Sequence, residues 1–348
     1  MIQEYIASNL LNLAGSIIIS YLTSFFFIRK YILFTTSKAF FQPIRSDGPE
    51  LHLKKKKNTP TMGGIFIVLS TLISVAIFAD ISNGYIKIIS CVFVAFATIG
   101  LIDDLMKVIY QNSKGFRGSI KLVLQFIIIC ITYLQLGKIN LMHHQNTIFF
   151  AINNGYSLQI ANWIFILFVC FVIIGTANGS NLTDGLDGLL SVPAIFSLIS
   201  LIILIYFASD ITLANKIKVP YIDNSREIIT FCTSLIGAIL GFLTFNLKPA
   251  KIFMGDVGSL SIGAVLGLIA IIIKQEFIFL FIVFLFAIES LSVILQVASY
   301  KIYGKKIFLM APIHHHFEKL GWSENKILYR FWLFSFVCCA VAITIYIL

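Results

Sequence analysis

Two adjacent carboxylates, Asp103 and Asp104, follow an apolar run and precede Lys107. We predict that this run is a membrane helix whose C-terminal end points inward, where the helix macrodipole disfavours anions. A solvated helix end partly neutralised by Lys107 would explain one aspartate. For the pair we favour a site for a divalent cation or for phosphate chemistry, because hard cations bind carboxylate oxygens and would offset the repulsion.

A second polar group recurs every three residues, at Asn178, Asn181, Asp184 and Asp187. On a helix these side chains would form one stripe, and on a turn broken by glycine they would line one cavity. Asp187 alone is expected to be the N-cap of the next helix. Capping does not explain all four.

The third group runs from Asn246 to Ser259 and includes Phe253 and Asp256. Asp256 at a helix start is the expected cap, so its position alone indicates little. Gly255 and Gly258, which flank it closely, would allow a ligand to approach the backbone, and a helix N-terminus favours a phosphate oxygen.

A basic run, Lys54 to Lys57, precedes Thr59-Pro60-Thr61 and two glycines. A polybasic stretch beside a membrane helix fixes topology and contacts anionic lipid. The small and hydroxyl residues after it also suit an anionic head group at a helix start. Both interpretations stay open.

The last group is His314-His315-His316, followed by Phe317 and Glu318. Three consecutive imidazoles point in different directions, whereas zinc sites use spaced histidines. We therefore rank contact with phosphate or a nucleobase above metal binding. Upstream, one helix face carries polar residues that should line the same site: Glu289, Ser292, Gln296 and Ser299.

The elements that position these groups are predicted to be membrane helices. Of the 348 residues, 58% are hydrophobic and 12% charged, which excludes a cytosolic enzyme, a disordered chain and a disulfide scaffold. Apolar runs predict an all-α polytopic protein with about ten spans, near residues 10–28, 62–79, 85–102, 122–136, 160–176, 189–208, 228–246, 259–273, 277–299 and 331–348.

Charge predicts the orientation of these spans. Lys and Arg number 20 in the loops after odd-numbered spans and 6 elsewhere, so the positive-inside rule places the first set in the cytoplasm and both termini outside. The chain, 1–348, is then one domain whose active site is formed by cytoplasmic loops 29–61, 103–121, 177–188, 247–258 and 300–330. The net charge of +10 indicates loops facing anionic lipid and phosphate rather than a nucleic-acid partner.

Acidic groups, cations and helix starts at one membrane edge suit phosphoryl transfer around Mg²⁺. An anionic lipid would enter sideways and a soluble nucleotide from the cytosol. A secondary transporter is the alternative from a different class, with carboxylates that bind a coupling ion. Transporters place polar residues near the midplane, whereas here only the Glu289 face lies deep, which favours the enzyme.

The chain resembles the polyprenyl-phosphate N-acetylhexosamine-1-phosphate transferases over nearly its whole length. The resemblance rests on five motifs: Thr59-Pro-Thr-Met-Gly-Gly64, Asp103-Asp104 with Lys107, Asn181-Leu-Thr-Asp-Gly-Leu-Asp-Gly188, Phe253-Met-Gly-Asp-Val-Gly-Ser259 and Pro312-Ile-His-His-His-Phe-Glu318. Relatives that use UDP-N-acetylglucosamine are similar at the acidic motifs and are the alternative. The His-His-His-Phe-Glu form favours the branch that uses a muramoyl-pentapeptide donor.

This resemblance implies a homodimer in a bacterial inner membrane with its active site facing the cytoplasm. It implies transfer of phospho-MurNAc-pentapeptide from UDP-MurNAc-pentapeptide to undecaprenyl phosphate, which gives lipid I and UMP, with Mg²⁺ as cofactor. Asp256, Asp103 and Asp104 would be catalytic and hold the metal, and His314 would also be catalytic. The substrate-binding set would be Lys56, Thr61, Lys107, Lys121, Asn178, Asn181, Asp184, Asp187, Asn246, Phe253, Gln296, His315 and His316.

Overall fold

The computed structural model describes residues 2–35, 59–110, 115–138, 146–150 and 156–348. Helices make up most of it: α1 (Ile2–Thr35), α2 (Gly64–Phe78), α3 (Gly84–Ile109), α4 (Gly118–Lys138), α5 (Asn162–Thr183), α6 (Ser191–Ala208), α7 (Ile211–Lys216), α8 (Ile228–Asn246), α9 (Gly255–Ile272), α10 (Glu276–Ile282), α11 (Phe284–Tyr303), α12 (Ile313–Lys319) and α13 (Glu324–Ile347). A 3-10 turn, Ser225–Glu227, leads into α8.

Within the described ranges, nine helical segments are long and apolar enough to cross a membrane, and α2 is a shorter apolar helix. These segments correspond one to one to the ten predicted spans. The prediction of an all-α polytopic membrane protein is therefore confirmed.

Two short strands are an addition that the apolar runs did not predict. β1 (Thr147–Phe150) pairs antiparallel with β2 (Tyr156–Gln159) between α4 and α5. Lys274, which follows α9, donates from Nζ to the Thr147 carbonyl at 3.4 Å and so ties this hairpin to the bundle.

Several predicted helix ends were wrong, and in each case the helix continues past its first polar residues. α3 extends to Ile109 instead of 102, and α5 to Thr183 instead of 176. The last helix begins at Glu324 instead of 331. At the ends of α3 and α5 the polar residues lie against other helices and do not meet lipid, so they do not end the helix as the hydropathy criterion assumes. The first turns of the last helix carry exposed polar residues and extend beyond the apolar run.

The predicted ninth span is broken into α10 and α11. The break falls at Val283, whose backbone lies outside the helical region. The polar residues Glu289 and Ser292 are buried in α11, six and nine residues after the break.

α9 lies at the centre of the bundle, and every residue from 257 to 272 is buried. Small residues let its neighbours approach closely, as is common between membrane helices. A β-carbon at Gly100 of α3 would lie 2.3 Å from the Asp256 carbonyl oxygen, and one at Gly64 of α2 would lie 2.2 Å from the Gly258 nitrogen. These two crossings fix α2 and α3 against the first turns of α9.

Direct contacts bring the described parts of the predicted inner loops together at one end of the bundle. The Gly63 N–H donates to the Phe253 carbonyl at 2.9 Å. The Gly188 N–H donates to Asn246 Oδ1 at 2.9 Å. Lys248 forms an ion pair with Glu324 at 2.9 Å. This end of the molecule also contains the C-terminal ends of α3 and α5 and the N-terminus of α9.

Candidate active site

Three buried or nearly buried carboxylates converge where the end of α3 meets the start of α9. Oxygens of Asp103, Asp104 and Asp256 lie within 4.8 Å of one another. Asp103 and Asp104 are 2% and 0% exposed, and the Asp256 side chain is 13% exposed. These three side chains are called the acidic cluster below.

Two lysines neutralise part of this charge. Lys107 Nζ lies 2.5 Å from Asp103, 3.4 Å from Asp104 and 3.1 Å from Asp256. Lys121, which α4 brings from the other side, lies 2.6 Å from Asp256 and 3.4 Å from Asp103. Three carboxylates therefore face two ammonium groups. When all five groups are ionised, these described side chains together carry one more negative than positive charge.

The positions of Asp103, Asp104 and Lys107 follow from helical periodicity. Lys107 lies three and four residues after the two aspartates, so all three side chains reach the same face of α3. Because α3 crosses α9 at Gly100, one turn earlier, this face meets the first turn of α9. The backbone fixes the carboxylates further: the Phe116 N–H donates to Asp103 at 2.7 Å and the Val257 N–H to Asp104 at 3.3 Å.

Asp256 was expected to cap α9, and this interpretation is wrong. Met254 occupies the cap position, and the helix starts at Gly255 without a side-chain cap. As the second residue of the helix, Asp256 instead accepts hydrogen bonds from Lys121 and from Asn181, the latter at 2.9 Å. Its side chain is thereby directed into the cluster.

A candidate ligand-binding position lies beside Asp104, between Gly255 and Thr61. Gly255 has φ +76°, and a β-carbon there would lie 2.4 Å from Asp104 Oδ2 and 3.3 Å from Thr61 Oγ1. The Thr61 hydroxyl is buried and has no hydrogen-bond partner among the described residues. A buried unpartnered hydroxyl next to buried carboxylates indicates a place for a polar group that the protein does not itself supply.

The Asn178 to Asp187 series divides between a helix and a turn. Asn178 and Asn181 lie in the last turns of α5, whereas Asp184 and Asp187 lie in the turn that follows it. Of these four residues, Asn181 donates directly to Asp256 of the acidic cluster. Asp184 is half-buried.

Two of the expected site residues near this turn make structural bonds. Asp187 was expected to cap the next helix, but α6 begins at Ser191, and Asp187 accepts from the Ala250 N–H at 3.0 Å instead. Asn246 bonds to Gly188 and to the Ile252 carbonyl. Both side chains therefore join the turn after α5 to the segment that leads into α9.

Gln125 was not predicted as a site residue. It is buried in α4, four residues after Lys121, and its Oε1 accepts from Asn178 Nδ2 at 2.9 Å. The signal that could have identified it is this spacing, because residues four apart share a helix face. Ser259, one turn after Asp256, likewise accepts from Asn181 at 2.8 Å.

The three histidines have separate partners. His314 is fully buried in α12, and its Nδ1 lies 3.1 Å from both carboxylate oxygens of Glu289. His315 Nδ1 lies 2.5 Å from Glu318, and His316 Nδ1 accepts from the Leu309 N–H at 3.1 Å. In the described structure none of the three lies within ion-pair distance of the acidic cluster.

The remaining predicted site residues are placed as follows. Gln296 braces the segment after α11 through bonds to the Ile307 and Phe308 backbone. Phe253 is half-buried, and its N–H donates to the Pro60 carbonyl beside Thr61. Lys56 lies outside the described residues.

Comparison with known proteins agrees with the motifs. The model of the glycosyl transferase family 4 matches residues 86–274, and a phospho-N-acetylmuramoyl-pentapeptide-transferase signature matches residues 56–68. Phospho-N-acetylmuramoyl-pentapeptide-transferases of Rickettsia prowazekii and Rickettsia felis are 45% and 47% identical over 306 and 307 residues. Each alignment covers 87% of this chain and 83% of the relative. The chain therefore belongs to the phospho-N-acetylmuramoyl-pentapeptide-transferase family.

Proposed function

We propose that the protein transfers phospho-MurNAc-pentapeptide from UDP-MurNAc-pentapeptide to undecaprenyl phosphate, giving lipid I and UMP. The observation that carries this proposal is the convergence of three carboxylates and two lysines at one end of a membrane helix bundle. A soluble nucleotide and a lipid phosphate can both reach such a place. The names of the relatives favour this donor over UDP-N-acetylglucosamine.

We place the reaction at the cytoplasmic face of a bacterial inner membrane, with both termini outside. The excess of Lys and Arg in the loops near the acidic cluster supports this orientation. We also expect a homodimer, as the family resemblance implies. Light scattering of the detergent-solubilised protein, corrected for bound detergent, would give a mass of two chains.

The residues of the acidic cluster fit a Mg²⁺ ion. Hard cations bind oxygen ligands, and Asp103, Asp104 and Asp256 offer carboxylate oxygens within 4.8 Å of one another. Among the described residues, the excess of carboxylates over lysines and the unpartnered Thr61 hydroxyl beside them support a cation or its polar ligands there. When bound, Mg²⁺ would polarise the donor pyrophosphate and reduce the charge that develops on it.

The protein's own groups would position and neutralise the two substrates. Lys107 and Lys121 lie beside the carboxylates and would contact phosphate oxygens of the donor. A phosphate monoester has a second pKa of about 6, so the lipid acceptor is mostly a dianion near neutral pH and needs little help from a base. We therefore propose direct attack of the lipid phosphate, with Asp103 accepting any remaining proton.

An aspartyl-phosphate intermediate is the alternative, because two adjacent carboxylates could supply a nucleophile and a base. The enzyme mixed with labelled donor and no acceptor distinguishes the two routes. Direct attack predicts no UMP release above background. Stoichiometric UMP with a trapped acyl phosphate on Asp103 or Asp104 would contradict it.

The function itself is tested by incubating purified protein with undecaprenyl phosphate, Mg²⁺ and each UDP-sugar separately. We expect lipid I and UMP only with the muramoyl-pentapeptide donor. UMP release with UDP-N-acetylglucosamine alone would assign the protein to the alternative donor.

Metal dependence is tested with EDTA and with Asp256→Asn. Removing one of three carboxylate ligands should lower turnover by about 10²-fold or more, as the loss of one charged transition-state contact does. The Mg²⁺ concentration needed for half-maximal activity should rise. Asp80→Asn, at an exposed carboxylate at the other end of the bundle, is the control. Full activity in EDTA would exclude the metal site.

A further inference from the structure

The pair formed by His314 and Glu289 is buried away from solvent and joins two elements. His314 lies in α12, Glu289 in α11, and both residues are 0% exposed. Both carboxylate oxygens are 3.1 Å from His314 Nδ1, so the carboxylate straddles this nitrogen symmetrically. This contact holds the Nδ1 edge of the imidazole ring in place.

The other ring nitrogen, His314 Nε2, has no hydrogen-bond partner in the part of the chain that the structure describes, and it is buried. It faces Gly185, where a β-carbon would lie only 2.2 Å from it. Because Gly185 has no side chain, the ring can lie with Nε2 directly against the turn that follows α5. Gly185 follows Asn181, which bonds to the acidic cluster, by four residues.

The charge of the pair indicates what kind of ligand atom suits Nε2. Among the described residues, no Lys or Arg lies within 4.0 Å of Glu289, so His314 is its available counter-charge. A buried carboxylate is stable only when paired. A ring that donates from Nδ1 to Glu289 and also carries a proton on Nε2 is a cation that balances it. Its Nε2–H would then donate to an anionic oxygen.

From this geometry we propose that Glu289 is a positioning residue that acts through His314. It holds the ring by Nδ1 and compensates its charge, and Nε2 then donates a hydrogen bond to a phosphate oxygen of the nucleotide donor. The proposal rests on the proposed function for the identity of the donor. It extends that function by assigning a role to a buried carboxylate inside a membrane helix.

Glu289→Gln separates charge from orientation, because glutamine can still accept from Nδ1 but carries no charge. We expect the KM for UDP-MurNAc-pentapeptide to rise about tenfold, the size of one charge-assisted hydrogen bond. The KM for undecaprenyl phosphate should not change. Ser197→Ala, which removes a buried hydroxyl in α6 that the site does not use, is the matched control.

A double-mutant cycle tests whether Glu289 acts through His314. In a His314→Ala background, Glu289→Gln should change the donor KM less than about twofold, because the group it acts on is gone. Additive effects of the two substitutions, or a donor KM in Glu289→Gln equal to the wild-type value, would overturn the proposal. Neither result would affect the proposed function, which depends on lipid I formation by the wild-type protein.

A second measurement needs no active variant and still decides if Glu289→Gln fails to fold. In wild-type protein labelled with ¹⁵N-histidine, the His314 Nε2 resonance should be that of a protonated nitrogen, and saturating UDP should shift it further as the hydrogen bond to a phosphate oxygen forms. The signal is assigned by its loss in His314→Gln. An Nε2 resonance that UDP leaves unchanged would overturn the proposal.

Discussion

Lys107 is the residue whose ammonium group contacts all three carboxylates of the acidic cluster, and its side chain is 13% exposed. In the absence of a metal it supplies half of the positive charge that the described residues bring there. Its removal would leave three carboxylates with Lys121 as the one remaining lysine among the described residues. Lys107 should therefore affect both the stability of the fold and the binding of a cation among the three carboxylates.

We predict that Lys107→Met lowers the free energy of unfolding in EDTA by about 3 kcal/mol or more, because breaking a buried ion pair leaves an uncompensated charge. Mg²⁺ should restore much of this loss, so the Mg²⁺-induced rise in Tm should exceed that of the wild type. Turnover should fall because a phosphate contact is lost. Thermal unfolding with and without Mg²⁺ measures both effects.

Lys87→Met is the control, since this exposed lysine lies on the same helix, α3, near its other end. It should leave Tm and its response to Mg²⁺ unchanged. An equal Mg²⁺ response in wild type and Lys107→Met would mean that the cation does not bind among these carboxylates.

At the scale of the elements, glycine contacts determine how closely the helices approach. A β-carbon at Gly100 would meet the Asp256 backbone, which cannot move aside as a flexible side chain can. The distance between α3 and α9 therefore sets the distance between the two halves of the acidic cluster.

We expect Gly100→Ala to separate α3 from α9 and to reduce turnover about 10²-fold, the typical effect of a displacement near 1 Å in a catalytic group. The Mg²⁺-induced rise in Tm should also be smaller in Gly100→Ala than in the wild type. Gly175→Ala in α5 is the control, because a β-carbon there meets no atom within 4 Å. Wild-type turnover in Gly100→Ala would show that the crossing does not position the carboxylates.

The elements also show how far the sequence alone could predict the structure. The apolar helices of the described residues were predictable from their apolar runs, and Asp103, Asp104 and Asp256 were predictable because paired or glycine-flanked carboxylates stand out in such runs. Helix ends were not predictable from hydropathy, since Asn181 lies within α5 and bonds to other helices instead of facing lipid.

The polar residues that support the site were harder to find. Gln125 is a single amide in an apolar stretch, and its role depends on Asn178, which is 53 residues away in the chain. The pairing of His314 with Glu289 likewise depends on how α12 packs on α11. Such contacts between distant segments are fixed by tertiary packing, which one sequence without relatives does not reveal.

At the scale of the whole molecule, the described inner-loop segments share one end of the bundle, and their side of the membrane is testable. Single cysteines can be placed in a variant in which the six native cysteines are replaced. Arg117→Cys and Ser323→Cys lie at the end with the acidic cluster, and both positions are exposed. Ser82→Cys and Asn215→Cys are exposed at the other end.

An impermeant maleimide added to intact cells should label the cysteines at 82 and 215 but not those at 117 and 323, as the positive-inside rule predicts. Permeabilised cells should show labelling at all four positions, which controls for reactivity. External labelling at position 117 or 323 would reverse the proposed orientation and separate the site from its cytoplasmic nucleotide.

The burial of α9 on all sides has a consequence for how the protein responds to the thickness of its bilayer. Helices that face lipid tilt or bend when the hydrocarbon layer is thinner or thicker than their apolar length. α4 exposes Leu122, Val123, Phe126 and Ile127 and would follow such a change. α9 is surrounded by protein, so Asp256 at its first turn stays in register with α3. A change in acyl-chain length should then alter the tilt of the lipid-facing helices more than it alters the distances within the acidic cluster.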